Sequence, residues 1–244
     1  MKPRLLDLFC CAGGAGSGYA DAGFDVYGID NEPQPRYPFP FLQIDALEAM
    51  DRLLRGEALT FSNGETLYLR DFAAIHASPP CQGYSTTKNM TDVFSLNKHP
   101  KYLTEVRALL IATGKPFVIE NVMNAKFTPK LQEGLQAGFL CGTMFGLPFY
   151  RHRLFETSFA WFQPGHPKHR LENAGSYVAT KDGKSVKSGT ATLMHNLKIV
   201  RQSAAKHFGT EWMNGDELAE AIPRCYTEYI GKYLMAKVMA WRGK

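Results

Sequence analysis

The chain has no long hydrophobic run and few cysteines, and both absences exclude classes of protein. No apolar stretch approaches the roughly 18 residues that a membrane-spanning helix needs, and no secretion signal is expected at the start of the sequence. The five cysteines are odd in number and include no C-x-x-C pair, so a disulfide framework is not expected. We therefore predict a reducing, cytoplasmic location without membrane contact.

Positive charge is concentrated in one segment. The 244 residues have a formal net charge of +5, with 45% hydrophobic and 21% charged residues, which is typical of a single globular core. The segment from Arg151 to Lys206 contains ten Lys and Arg residues but only three Asp and Glu residues. It therefore carries a net charge of +7, and the rest of the chain carries −2. This distribution favours a polyanionic partner, although a solvated, variable surface would have the same composition.

Short apolar runs alternate with helical patterns in the first half of the chain. Strands are predicted at RLLDLF, DVYGID, FLQID, FAAIHA and PFVIE, helices at YADAGF, ALEAMDRLL and KYLTEVRALLIAT, and a hairpin around SNGE. This order predicts an α/β fold, with a doubly wound, mostly parallel sheet and helices on both faces. Ligands of such sheets bind beyond the carboxyl ends of the strands.

A glycine-rich turn, CCAGGAGSG, follows the first strand. A strand, glycine-rich turn and helix can bind a dinucleotide phosphate or the amino-acid end of S-adenosylmethionine. Asp30, which closes the second strand, suits bonding to ribose hydroxyls, and Asp45 could accept from an adenine amino group. Either aspartate would equally serve as a helix N-cap or a turn residue.

The stretch SPPCQGYS places Cys81 on a stiff turn after the fourth strand, because proline fixes the backbone and disfavours helix before it. A thiolate at this position would be a nucleophile. Glu120 of FVIENV is expected to be buried, with a raised pKa that keeps it protonated. Arg151 and Arg153 alternate along a predicted strand, where they would face one side together or form surface salt bridges. These groups fit attack at C6 of a cytosine and methyl transfer to C5.

Read in chain order, the motifs resemble those of the cytosine-C5 DNA methyltransferases. The matching stretches are DLFCCAGGAGSGYADAGF, VYGID, QIDA, SPPCQGYS, IENV, LPFYRHRLF and AIPRCYTEYIG, which cover residues 4 to about 156 and resume near 208. The resemblance implies a Rossmann-like, S-adenosylmethionine-dependent methyltransferase that acts on a flipped-out cytosine in double-stranded DNA. Its short form is similar to that of phage enzymes, and a monomer in a bacterial or phage-infected cell is expected.

The resemblance also implies roles for individual residues. Cys81 would be the nucleophile, Glu120 the acid that binds the base, and Arg151 and Arg153 contacts to the base and its loop. The residues implied around the cofactor are Phe9, Cys11, Ala12, Gly13, Gly14, Asp30, Asn31, Asp45 and Ala46. No metal ligand is expected, because the histidines of HPKH have no convincing cysteine partner in the sequence.

Three positions depart from the family pattern. Cys11 replaces a glycine, which predicts a less close backbone approach to the donor. Phe149 replaces the glutamine of the arginine motif and removes a polar contact. Arg224 follows Pro223 where a small residue or proline is usual, and we expect it to pair with the carboxylate of the donor or of an acidic donor variant.

The resemblance predicts three regions. Residues 1–156 would form the cofactor-binding catalytic domain, 157–206 a short target-recognition region, and 207–244 a segment that returns to the catalytic domain. The recognition region contains the basic loops WFQPGHPKHR and KDGKSVKSG, which we expect to face phosphates. A region this short predicts a short or loosely specified target.

Three other functions fit parts of the sequence. An RNA (tRNA) cytosine-C5 methyltransferase would carry the same Ser-Pro-Pro-Cys-Gln stretch. A catalytically silent nucleic-acid-binding homologue would explain Phe149. A cysteine hydrolase would need His76 or His152 as the partner of Cys81, but no Asn or Asp that would orient either histidine is evident.

Overall fold

The structure, a computed structural model, describes residues 1–80, 103–123, 125, 134–147, 150–168, 205–206 and 208–242. A seven-stranded sheet organises these residues. Its strands are β1 (Arg4–Leu8), β2 (Asp25–Asp30), β3 (Phe41–Gln43), β6 (Phe72–Ala77), β7 (Phe117–Asn121), β8 (Gln136–Leu140) and β9 (Arg153–Thr157). Two further strands, β4 (Leu59–Thr60) and β5 (Thr66–Leu67), form the antiparallel hairpin predicted around SNGE.

The strands lie in the order β3-β2-β1-β6-β7-β9-β8. The first five are parallel to one another, whereas β9 runs antiparallel to both β7 and β8. The predicted doubly wound, mostly parallel α/β sheet is therefore confirmed. Because β9 is antiparallel, its amino end lies beside the carboxyl end of β7. Arg153, the first residue of β9, and the nearby Arg151 therefore lie at the edge where the parallel strands end.

Five α-helices flank the sheet in the described residues. They are α1 (Gly14–Asp21), α2 (Ala46–Leu54), α3 (Leu103–Ala112), α4 (Gly215–Glu220) and α5 (Arg224–Arg242). Apolar residues of α2 and α3 pack on one face of the sheet, and those of α1 and α5 pack on the other. Each face thus has its own apolar core, as expected for a sheet covered on both sides. In the described part of the chain, no helix has both the length and the apolarity to cross a membrane.

Helix α1 begins earlier than the sequence predicted. The pattern YADAGF suggested a short helix after the glycines, but α1 starts at Gly14 and includes the glycines. Packing overrides their low helix propensity. A Cβ on Gly18 would lie 2.2 Å from the Arg224 carbonyl oxygen, and the Thr227 hydroxyl donates to the Ala15 carbonyl at 2.8 Å. Glycine therefore lets α1 and α5 approach to backbone contact.

A buried ion pair joins α3 to β9. Arg107 Nε and Nη2 lie 2.5 and 3.0 Å from the two carboxylate oxygens of Glu156, and the side chains are 9% and 1% exposed. The bidentate geometry satisfies both carboxylate oxygens, which a pair removed from water requires.

Candidate active site

The glycine-rich turn after β1 has an unusual backbone. Phe9 and Cys11 have φ values of 57° and 43°, and Gly13, the N-cap of α1, has φ 87°. Only glycine adopts this left-handed region without steric cost, so Cys11 is held in a conformation that favours glycine. No side chain caps α1 at Gly13. The positive end of this helix therefore presents backbone N–H groups without a side-chain acceptor on the cap residue.

Asp30 ties this turn to the end of β2. Its Oδ2 accepts from the Cys11 N–H at 2.9 Å, and its Oδ1 accepts from the Glu32 N–H at 3.0 Å. Asn31 is exposed beside it, and its carbonyl accepts from the Gln43 amide at 3.1 Å. Each carboxylate oxygen of Asp30 has a second lone pair, so the group can still accept from a ligand hydroxyl.

Asp45 is the N-cap of α2. Its Oδ1 accepts from the backbone N–H groups of Leu47 and Glu48 at 2.9 and 3.1 Å. The structure thus shows the capping role that the sequence left open. The side chain of Asp45 is exposed and Ala46 behind it is buried. Bonding of Asp45 to an adenine stays a prediction.

Aromatic residues distant in sequence complete the surroundings of the turn. The Trp212 indole N–H donates to the Ala12 carbonyl at 2.9 Å, which brings the C-terminal part of the chain to the turn. On the other side, a Cβ on Gly13 would lie 2.8 Å from Pro38 and 3.1 Å from the Tyr37 ring. Neither Trp212 nor Tyr37 was predicted from the sequence, because isolated aromatic residues have no local pattern that indicates their partners.

Asp7 of β1 lies buried beneath the turn, with 0% of the residue exposed. Its Oδ2 accepts from the Tyr37 hydroxyl at 3.3 Å, and the carboxyl also accepts from the Gly16 backbone N–H. Burial raises the pKa of Asp7 to about 8, and the negative charge of Asp30 adds to the increase. Asp7 is therefore largely protonated at neutral pH.

Glu120 lies in β7, where it is 5% exposed. Its Oε1 is 3.0 Å from Arg153 Nε, so the two side chains form an ion pair. The geometry of this contact does not meet the requirements of a hydrogen bond. Burial raises the pKa of Glu120, although the charges of Arg153 and Arg151 and a hydrogen bond with Ser78 oppose the increase. The buried carboxyl with a raised pKa is thus present as expected, and both arginines act on it.

Arg151 and Arg153 were predicted to lie on one strand, and this prediction is wrong. Arg153 is the first residue of β9, whereas Arg151 precedes the strand and is 6% exposed. The Arg151 guanidinium lies 5.5 Å from the centroid of the Phe208 ring, and its carbonyl accepts from the Tyr226 hydroxyl at 2.6 Å. Contacts with the C-terminal part of the chain, and not strand alternation, therefore hold Arg151 near Glu120.

A buried chain of hydrogen bonds leads from α1 to Glu120. The Tyr19 hydroxyl lies 2.9 Å from His76 Nδ1, and His76 Nε2 lies 2.7 Å from the Ser78 hydroxyl, which is bonded to Glu120. If Ser78 donates to the carboxylate, its oxygen accepts from His76 Nε2–H, and Nδ1 accepts from Tyr19. Burial lowers the pKa of His76 to about 3, so the imidazole is neutral. We call this chain the Tyr19–Glu120 relay.

The start of the Cys81 loop is fixed beside Glu120. The Asn121 side-chain amide donates to the Pro79 carbonyl at 3.0 Å, which joins β7 to the Pro-Pro turn. Cys81 itself and Phe149 lie outside the described residues. Because both ring nitrogens of His76 are hydrogen-bonded inside the core, His76 is not available as the base that a cysteine hydrolase would need.

Arg224 is not positioned as predicted. Its guanidinium pairs with both carboxylate oxygens of Asp21, the last residue of α1, and it contacts the Gly209 carbonyl at 3.4 Å. Asp21 is at the opposite end of α1 from the glycine-rich turn. Arg224 was expected to pair with the carboxylate of the donor, but in the structure it pairs with Asp21 instead.

Comparison with known proteins shows similarity in both sequence and fold. Over 131 residues the chain is 30% identical to the Type II methyltransferase M.AgeI of Thalassovita gelatinovora, a match that covers 49% of this chain and 28% of that protein. No family model matches the chain. The fold is similar to that of the S. pombe Dnmt2 methyltransferase, with a TM-score of 0.52, 12% identity and coverage of 97% and 99% of the two chains.

A second solved structure gives the same result. The Entamoeba histolytica methyltransferase EhMeth matches with a TM-score of 0.51 and 13% identity, over 98% of this chain and 99% of that chain. The predicted fold is thereby confirmed, and the sequence match shows a resemblance to a methyltransferase. The chain nevertheless spans only about a quarter of the length of its sequence relative.

Proposed function

We propose that this protein transfers a methyl group from S-adenosylmethionine to C5 of a cytosine in double-stranded DNA. The observation that carries the proposal is the buried carboxyl of Glu120, with its raised pKa, between Arg153 and the start of the Cys81 loop. A protonated carboxyl at this position can donate to N3 of a cytosine ring, which becomes more basic as a nucleophile adds to C6.

The groups around the glycine-rich turn suit S-adenosylmethionine. The N-terminus of α1, where the cap residue Gly13 has no side chain, can bind a carboxylate, and Asp30 can accept from ribose hydroxyls. We assign Phe9, Cys11, Ala12, Gly13, Gly14, Asn31, Asp45 and Ala46 to the same site. When bound, S-adenosylmethionine supplies an electrophilic methyl group on its sulfonium. In this proposal Asp30 orients the ribose and α1 orients the amino-acid end.

The protein's own residues would carry the remaining steps. The Cys81 thiolate adds to C6 of the flipped-out base while Glu120 protonates or hydrogen-bonds N3, so C5 becomes nucleophilic and accepts the methyl group. Loss of the C5 proton and elimination of the Cys81 thiolate then restore the ring. Arg151 and Arg153 hold the exocyclic oxygen or a neighbouring phosphate.

Binding of DNA is assigned to the basic recognition region. The proposed regions remain 1–156, 157–206 and 207–244. Most of region 157–206, including Lys181, Lys184 and Lys187, lies outside the described residues. Neutralising these three lysines should weaken binding and flatten its salt dependence, because each phosphate contact contributes about 0.9 to the slope. An unchanged slope would assign DNA binding to another surface.

Methyl transfer from labelled S-adenosylmethionine tests the proposal. Wild type should label duplex DNA and leave tRNA unlabelled, Cys81→Ala should lose labelling, and Cys225→Ala, at a half-buried thiol in α5, should retain it. Equal labelling by wild type and Cys81→Ala would overturn the nucleophile assignment. Labelling of tRNA alone would establish the second candidate, an RNA cytosine-C5 methyltransferase, which rests on the Ser-Pro-Pro-Cys-Gln stretch.

A further inference from the structure

Three side chains with metal-binding atoms converge near the start of the recognition region. The Sγ of Cys141 and one ring nitrogen each of His152 and His166 all lie within 4.8 Å of one another. The Nε2 atoms of His152 and His166 are 3.2 Å apart. Cys141 is buried, His152 is half-buried and His166 is exposed, so the cluster extends from the core to the surface.

The sheet explains why residues so distant in sequence meet. Cys141 directly follows the last paired residue of β8, and His152 directly precedes its partner in β9, so the two are neighbours across the antiparallel pair. After β9, the chain returns along β8. There the Gln136 amide donates to the Trp161 carbonyl at 2.6 Å and accepts from the Trp161 N–H at 3.1 Å. This return brings His166 beside His152.

We infer that Cys141, His152 and His166 form a binding site for a zinc ion. One thiolate and two imidazoles are ligands that zinc prefers, whereas magnesium and calcium prefer oxygen. Two nitrogens at tetrahedral positions, each about 2.0 Å from zinc, lie roughly 3.3 Å apart, close to the distance between the two Nε2 atoms. Three protein ligands leave the fourth position to water.

Neighbouring groups support the ligands. The Thr143 hydroxyl lies 3.3 Å from Cys141 Sγ, where it can donate to a thiolate. The Phe139 ring lies against both imidazoles, with centroids 5.7 Å from His152 and 5.3 Å from His166. A polar contact to the sulfur and an apolar wall on the rings are the kind of outer shell that orients metal ligands.

A zinc ion at this position would connect two separate parts of the chain. His152 lies between Arg151 and Arg153, and His166 lies in the first basic loop of the recognition region. A bound ion would join the start of that region to the arginines beside Glu120. The inference does not depend on the proposed methyl transfer, since it predicts a metal content that is measured without any substrate.

Metal analysis of the full chain tests the site. Wild type purified without chelator should contain about one zinc per chain, and loss of one of three ligands should leave Cys141→Ser and His166→Ala with less than about a tenth of that. Cys225→Ser removes a thiol from α5 that is not one of the three clustered ligands, and should retain the zinc. Cobalt added to the metal-free wild type should give thiolate-to-cobalt charge-transfer absorption that Cys141→Ser lacks.

Two results would overturn the inference. Wild type that takes up no stoichiometric zinc when the ion is supplied would show that the three side chains converge without binding a metal. Zinc content that is unchanged in His166→Ala would place the ion elsewhere. Because His166 is exposed, that variant should fold even if replacing the buried Cys141 prevents folding, and circular dichroism of each variant checks this point.

Discussion

Replacing Asp7 with asparagine should stabilise the protein at neutral pH. The folded-state pKa of Asp7 is about 8, far above its ordinary value of 3.8, because the carboxyl is buried. Stability contributed by the protonated group is fully present below about pH 4 and is lost as the pH rises through 8. At about 1.4 kcal/mol per pH unit, the loss at pH 7 reaches about 4 kcal/mol as an upper limit.

Asparagine imitates the protonated carboxyl. Its oxygen can accept from Tyr37 and Gly16 as Oδ2 of Asp7 does, and its amide nitrogen would replace Oδ1, which makes no hydrogen bond within the described residues. We therefore expect Asp7→Asn to match wild type near pH 4 and to exceed it by about 2 to 4 kcal/mol at pH 7.

Urea unfolding at several pH values measures the effect. The free energy of unfolding of Asp7→Asn relative to wild type should grow by about 1.4 kcal/mol per pH unit between about pH 5 and pH 7. Asp51→Asn, at an exposed position of α2, is the matched control and should show no such growth. A constant difference between Asp7→Asn and wild type would mean that Asp7 is ionised in the fold, and the burial argument would be wrong.

Three further perturbations test other parts of the structure. Arg107→Met should cost roughly 3 to 5 kcal/mol in thermal or urea unfolding, because Glu156 is left charged and buried, and adding Glu156→Leu should restore most of the loss. Cys11→Gly should stabilise the turn by about 1 kcal/mol in the same assay, since glycine relieves the left-handed conformation. Ser78→Ala removes a hydrogen bond that lowers the pKa of Glu120, so the basic limb of the pH profile of methyl transfer should move to higher pH. The first expectation would be wrong if the Arg107→Met, Glu156→Leu double variant were as unstable as Arg107→Met alone. The second would be wrong if Cys11→Gly did not raise the free energy of unfolding, and the third if Ser78→Ala left the basic limb of the pH profile unchanged.

The sequence predicted features that depend on local pattern. β1, β2, β6 and β7 are apolar runs bounded by glycine, proline or charged residues, and each lies close to its predicted position. The order of these strands alone predicted the sheet. It also predicted the edge at which Asp30 and Glu120 lie.

Features that depend on distant contacts were not predicted. Nothing near Ala12 in the sequence indicates that the Trp212 indole binds its carbonyl. Position 76 fitted a catalytic histidine as well as a core one until the partners of its two ring nitrogens were known. In the same way, the absence of a cysteine near HPKH argued against a metal site, although the return of the chain along β8 brings Cys141 to His166.

The close contact between α1 and α5 has a consequence for how the chain is made. Arg224 and Asp21, which pair across it, are 203 positions apart in the chain. While the ribosome is still adding the intervening residues, the apolar side of α1 has no cover, and the glycines that permit backbone contact leave the helix weak on its own. This layer therefore completes late, and nascent chains are exposed to aggregation until α5 emerges.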